Sequence, residues 1–225
     1  MSDFDADFPL EDDWNDRGEL AWNEFDWERY LREQDESIQR YLGLYEALRN
    51  TPDRIDAVAE QMGWEPAEPD PDEADAEDAV EEELPASFDE GSEVYTLHKN
   101  PVFIATKAIY LGLKRSWQLA ASDSAKMPTP LAVGFLASLH RGEEQASQAI
   151  HALDFGDYAM AISLFKRALS ALNQSLSLLS GPHAAHYHAV GAYREDALPR
   201  LFDLREIWLR IINECREELD RPIEE

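Results

Sequence analysis

Acidic residues are unevenly placed in this 225-residue chain: 32 of its 47 aspartates and glutamates lie before Val94, accompanied by six arginines and no lysine. Residues 1–93 therefore carry a formal charge near −26, and the remaining 132 residues carry about −1. Two stretches so different cannot fold by one rule. Self-repulsion opposes compaction in the first wherever apolar residues are sparse, whereas the second is a neutral sequence able to bury a core. An apolar fraction of 44% is ordinary for a globular chain of this size.

Within the acidic part, residues 1–20 set acids among Phe4, Phe8, Leu10 and Trp14, too little apolar surface for a core, and read as a disordered acidic and aromatic tail. Residues 21–64 differ. From Trp27 onward, Trp27, Tyr30, Leu31, Ile38, Tyr41, Leu42, Tyr45 and Leu48 recur at three- and four-residue steps and line one face of a long helix. Thr51 and Pro52 read as the cap and first residue of a short second helix that Gly63 closes, giving an amphipathic helical hairpin. Residues 65–93 hold 14 acids, no basic residue and four prolines, the composition of a disordered acidic linker.

Residues 94–225 show four strong helical patterns and no alternation of the kind a strand requires. One opens at Pro101 and is apolar on more than one side, so it is expected to be central. A second opens at Thr129 and Pro130 along Phe135, Leu139, Ala146 and Ile150. A third runs from Asp157 to Ser180, stopped by Gly181 and Pro182. The last is expected from about Asp196, with Pro199 in its first turn and Leu201, Leu204, Trp208, Ile211 and Cys215 inward. His183 to Arg194 read as a short fifth helix or an ordered crossover. Long helices joined by short turns pack as antiparallel neighbours, so the fold class is all-α: an antiparallel four- or five-helix bundle with an acidic N-terminal helical arm and a disordered linker.

Around the second turn of the bundle, Ala149, Asp154, Gly156, Tyr158, Ala161, Ile162, Phe165, Ala168 and Leu169 form a pattern over about residues 146–172. Gly156 permits the tight turn, Ala161 and Ala168 allow close helix approach, and Tyr158 and Phe165 fill the groove between the helices. This hairpin resembles a tetratricopeptide repeat, and equally the helix pair of a microtubule-interacting-and-trafficking domain. Both families bind peptides or helices of other proteins, so the resemblance implies an interaction module.

Chemistry-bearing residues are few. Phosphate loops, nucleophile elbows and dinucleotide fingerprints have no match, and Cys215 falls on an apolar helix face, so an enzyme is the less favoured reading and no cofactor is expected. Histidines cluster at His183, His186 and His188, and His140, Glu144 and His151 share a helix face, which leaves a metal-dependent bundle enzyme as an alternative. Lys107, Lys114 and Arg115 belong to a basic stretch on which the acidic arm is expected to land. A charge of −27 argues against nucleic-acid and membrane partners, and also raises the alternative of a nucleic-acid mimic that inhibits a basic protein. The favoured expectation is a cytoplasmic, non-enzymatic adaptor. It would bind an unidentified protein through the aromatic face (Trp27, Tyr30, Leu31, Ile38, Tyr41, Tyr45) or the groove at Gly156 and Tyr158, with a homodimer through the aromatic arm as a further possibility.

Overall fold

The computed structural model describes residues 22–64, 100–122, 127–182 and 184–221. The expected tail and linker lie outside them, as does His183. Six helices follow one another: α1 (Glu24–Ala47), α2 (Arg54–Met62), α3 (Pro101–Ala120), α4 (Thr129–Asp154), α5 (Tyr158–Ser180) and α6 (His188–Asp220), with a single 3-10 turn at Ala184–His186 before the last. Among the described residues there is no strand, and the all-α bundle is realised.

α3 is central because it is apolar nearly all round: Phe103, Ile104, Ala105, Thr106, Ala108, Ile109, Tyr110, Leu113 and Trp117 are all buried. α4 and α5 form the antiparallel hairpin beside it, α6 packs on both α5 and α3, and α1 lies across the remaining side of α3. Aromatic side chains tie the layers together. Trp117 meets Phe135 at 4.3 Å and Tyr193 at 4.8 Å between ring centroids. Trp208 lies between Tyr110 and Phe165, and its indole N–H donates to the Thr106 hydroxyl at 3.2 Å. Ile38, Tyr41, Tyr45 and Val58 belong to the same contiguous core, so the hairpin of residues 21–64 is built into the bundle rather than hung from it.

Two expected boundaries move. Thr51 and Pro52 lie in a turn, and α2 starts at Arg54 after Asp53, whose φ of +52° is left-handed, a conformation that aspartate tolerates better than most residues. α4 does open at Thr129, with Pro128 as the residue before it. α6 begins at His188 and runs 33 residues with Pro199 in its interior. Val190, Tyr193 and Ala197 extend the buried stripe N-terminally, and the Tyr193 hydroxyl donates to the Leu113 carbonyl at 3.1 Å, so tertiary contact outweighs the proline signal.

Two glycines show how tightly the layers meet. A Cβ on Gly142 of α4 would come within 2.3 Å of the buried Tyr110 hydroxyl, whereas one on the exposed Gly43 of α1 would meet nothing within 4 Å. Gly142→Ala is therefore expected to destabilise the chain by about 1–3 kcal/mol through overpacking. Gly43→Ala is expected to stabilise it by about 0.5–1 kcal/mol through helix propensity. Urea unfolding of the two variants measures both, and opposite signs are the expected result.

Candidate interaction surface

The aromatic stripe of α1 divides along its length. Ile38, Tyr41, Leu42 and Tyr45 are buried against the bundle, but Trp27 is 52% exposed, Leu31 49% and the neighbouring Phe25 76%. The N-terminal half of α1 thus stands clear as a tip. Trp22, Trp27 and Tyr30 pack on one another there, with centroids 4.7, 5.3 and 5.8 Å apart. A capping box starts this helix: the Asn23 side chain accepts from the amides of Phe25 and Asp26, and the Asp26 carboxylate accepts from the Asn23 amide at 3.2 Å. Arg29 and Arg32 pair with Asp26 and Glu28 one turn back.

What holds the rest of α1 and α2 is a polar seam along α6. One oxygen of Asp203 accepts both the Tyr45 hydroxyl, at 2.5 Å, and the Arg54 guanidinium. Arg54 also lies over the Tyr45 ring, 4.2 Å from its centroid. Glu46 accepts two hydrogen bonds from Arg200, which also pairs with Asp196 at 3.0 Å. Burial alone would weaken the Arg200 charge, yet the bonds to Glu46 and Asp196 hold its pKa above the ordinary value. Asp56 accepts both ends of Arg210 at 2.5 and 3.1 Å, and the hydrogen bonds from Arg210 to Asp56 and Glu206 raise the pKa of that guanidinium. Gly112 makes room for this seam, since a Cβ there would reach within 2.7 Å of Arg200 Nη1.

α1 packs along α3. There Lys107 and Lys114 share the one carboxylate of Glu143 in α4, at 3.3 and 2.7 Å. Arg115 does reach α1, donating to Gln39 at 3.3 Å. The charges that fix the arm are Glu46, Arg54 and Asp56, paired with residues of α6. Their signal was present in the sequence as Asp196, Arg200, Asp203, Glu206 and Arg210, a charged stripe at helical spacing.

Two concave regions flank this hairpin and share Trp64. A notch of about 590 Å3 is lined by Glu33, Glu36, Ser37, Arg40, Met62, Trp64 and Ile104. An apolar cleft of about 150 Å3 lies between Trp64, Ile55, Val102, Ile207 and Ile211, with Tyr41 in its wall. Trp64 stacks on Tyr41 at 5.6 Å. Among the described residues, the Tyr41 hydroxyl and Arg54 Nη2 are buried without a hydrogen-bond partner.

The remaining sequence candidates do not converge. His140, Glu144, His151 and His188 are exposed, and the ring of the exposed His186 sits 2.7 Å from the Pro182 carbonyl. Among the described residues no group of three or more His, Cys, Asp or Glu is placed to hold a metal ion. Cys215 is buried, which pushes its thiol pKa up and leaves it unreactive. Gly156 takes the left-handed φ of +72° at the α4–α5 turn, with Ala161, Phe165 and Ala168 fully buried behind it and Tyr158 half-buried. Phe155, 86% exposed, projects from the same turn. Among the described residues no helix is long and apolar enough to cross a membrane.

No protein-family model, curated protein or solved structure matches the chain.

Asp203→Ala is expected to cost about 3 kcal/mol in urea unfolding, because it strands the buried Arg54 charge and the Tyr45 hydroxyl together. An alkaline limit follows from the phenols. Burial raises the pKa of Tyr41, Tyr45, Tyr110 and Tyr193 above the ordinary 10.0, and Asp203 adds to the shift at the first two. The unfolded chain ionises these groups near pH 10 and the folded chain does not, so their contribution is complete below that pH and lost as the pH rises above it. Phenolate absorbance of these four is expected to appear together with the loss of helical circular dichroism, and not before it.

Proposed function

We propose that this chain is a non-enzymatic interaction module, working in the cytoplasm, that offers the tip of α1 to a basic and partly apolar surface of a partner protein. The observation that carries this reading is the uncovered aromatic cluster: Trp27 and Leu31 stay half exposed although the same stripe is buried from Ile38, about two turns further on. Tryptophan, tyrosine and arginine are the side chains that most often dominate interface energetics, and the tip holds all three. Around it stand Glu24, Asp26, Glu28, Glu33, Asp35 and Glu36 against Arg29 and Arg32. That excess of acid favours a partner rich in lysine or arginine, steers its approach, and repels nucleic acid. It also opposes pairing of two tips, so a homodimer through the arm is the weaker arrangement.

The test is affinity capture from the native cell with the wild-type chain and a Trp27→Ala/Leu31→Ala variant. Both side chains are half exposed, so the variant is expected to unfold at the wild-type temperature. Partner recovery is expected to fall at least about tenfold. Equal recovery of the same proteins by both chains would remove the tip from the contact.

A further inference from the structure

Trp64 lines both the notch and the apolar cleft, and the two together make up the groove at this residue, bordered by α1, the end of α2, α3 and α6. The cleft, about 150 Å3, is well under the roughly 300 Å3 of a small-molecule site and suits one large apolar side chain. Tyr41 in that wall is 1% exposed, and its hydroxyl has no partner among the described residues. With its hydroxyl inside and its ring stacked on Trp64, Tyr41 gives the cleft a rigid aromatic back wall. Charge on the rim sets the character of the occupant. Arg210 is held by Asp56 and Glu206, Glu214 stands at the cleft, and Glu36 and Arg40 line the notch.

Resting on the reading of the chain as an interaction module, we infer that this groove receives a short basic, amphipathic segment of the partner protein. One large apolar side chain of that segment enters the cleft against Trp64, and its lysines or arginines lie along Glu36 and Glu214. A second copy of the chain is a poor occupant, because each copy carries a charge of −27. The wider notch accommodates the backbone and the charged flank, whereas the narrow cleft selects for the anchor.

The probe is a fluorescein-labelled amphipathic peptide of lysine and leucine, compared with a counterpart carrying glutamate in place of lysine. Both are titrated into the full chain at low and high salt. Three proteins are used: wild type, Ala59→Phe, which fills the cleft from its own wall, and the tip variant Trp27→Ala/Leu31→Ala. In the wild type the lysine peptide is expected to saturate and to shift the methyl resonances of Ile55, Ile207 and Ile211, and the glutamate peptide is expected not to bind. The wild-type methyl signals are read first, and Ala59→Phe is then expected to weaken binding about tenfold or more at unchanged unfolding temperature. Loss of binding in Ala59→Phe with retention in the tip variant assigns the contact to the groove. The reverse pattern removes the groove and leaves the tip reading standing. Wild-type methyl signals that do not move overturn the inference whatever the variants do. A dimer that the lysine peptide fails to dissociate in sedimentation overturns it too, by seating a second copy there.

Discussion

Asp203 is the residue on which the arrangement of α1 and α2 depends. The stretch of residues 22–64, with ten acids against five arginines and a formal charge near −5, has no general reason to lie against a bundle that is itself slightly negative. It does so because one carboxylate of α6 accepts from Tyr45 and Arg54 at once, bringing a residue of α1 and a residue of α2 to the same point. Around that point the Glu46–Arg200 and Asp56–Arg210 pairs repeat the same device with the charges reversed. The attraction is therefore local and directional, whereas the repulsion is diffuse and screened beyond roughly 10 Å in ordinary salt. Apolar burial adds to it: Tyr41, Tyr45 and Val58 are almost wholly inaccessible, each worth on the order of 2 kcal/mol relative to exposure.

Much of this architecture was legible because it rests on periodicity and on caps. Pro101, Gly63, Asp157 and the Gly181–Pro182 pair mark ends that the helices respect, and the apolar stripes of α3, α4 and α5 are the buried ones. Reading failed where a tertiary contact outbid a local signal. Pro199 looks like a helix start, but the stretch before it is held by Tyr193 against Trp117 and Phe135. Thr51 and Pro52 look like a cap, but the start of α2 falls at Arg54, whose guanidinium is fixed by Asp203.

The candidate surface was half legible for a related reason. Periodicity identifies which residues of α1 share a face, and that face is real from Trp27 to Tyr45. How far along it the bundle extends is a matter of tertiary geometry, and the division between buried Ile38 and exposed Leu31 has no marker in the sequence. Likewise Lys107 and Lys114 advertise a basic patch, and only the fold shows that Glu143 of α4 lies within reach of both. The groove at Trp64 is assembled from α1, α2, α3 and α6, four elements far apart in the chain, and no local pattern announces it.

The capping box at Asn23 gives the tip a property of another kind. By closing the first turn of α1 on itself, and with Arg29 and Arg32 bridging successive turns, the chain fixes the helical shape of its exposed end without help from any neighbour. An incoming molecule then meets aromatic rings whose backbone entropy has already been given up during folding of the chain itself. Association at such a surface is governed by the rate of correctly oriented encounter rather than by a slower ordering step, and its strength is not discounted by the freezing of a loose segment.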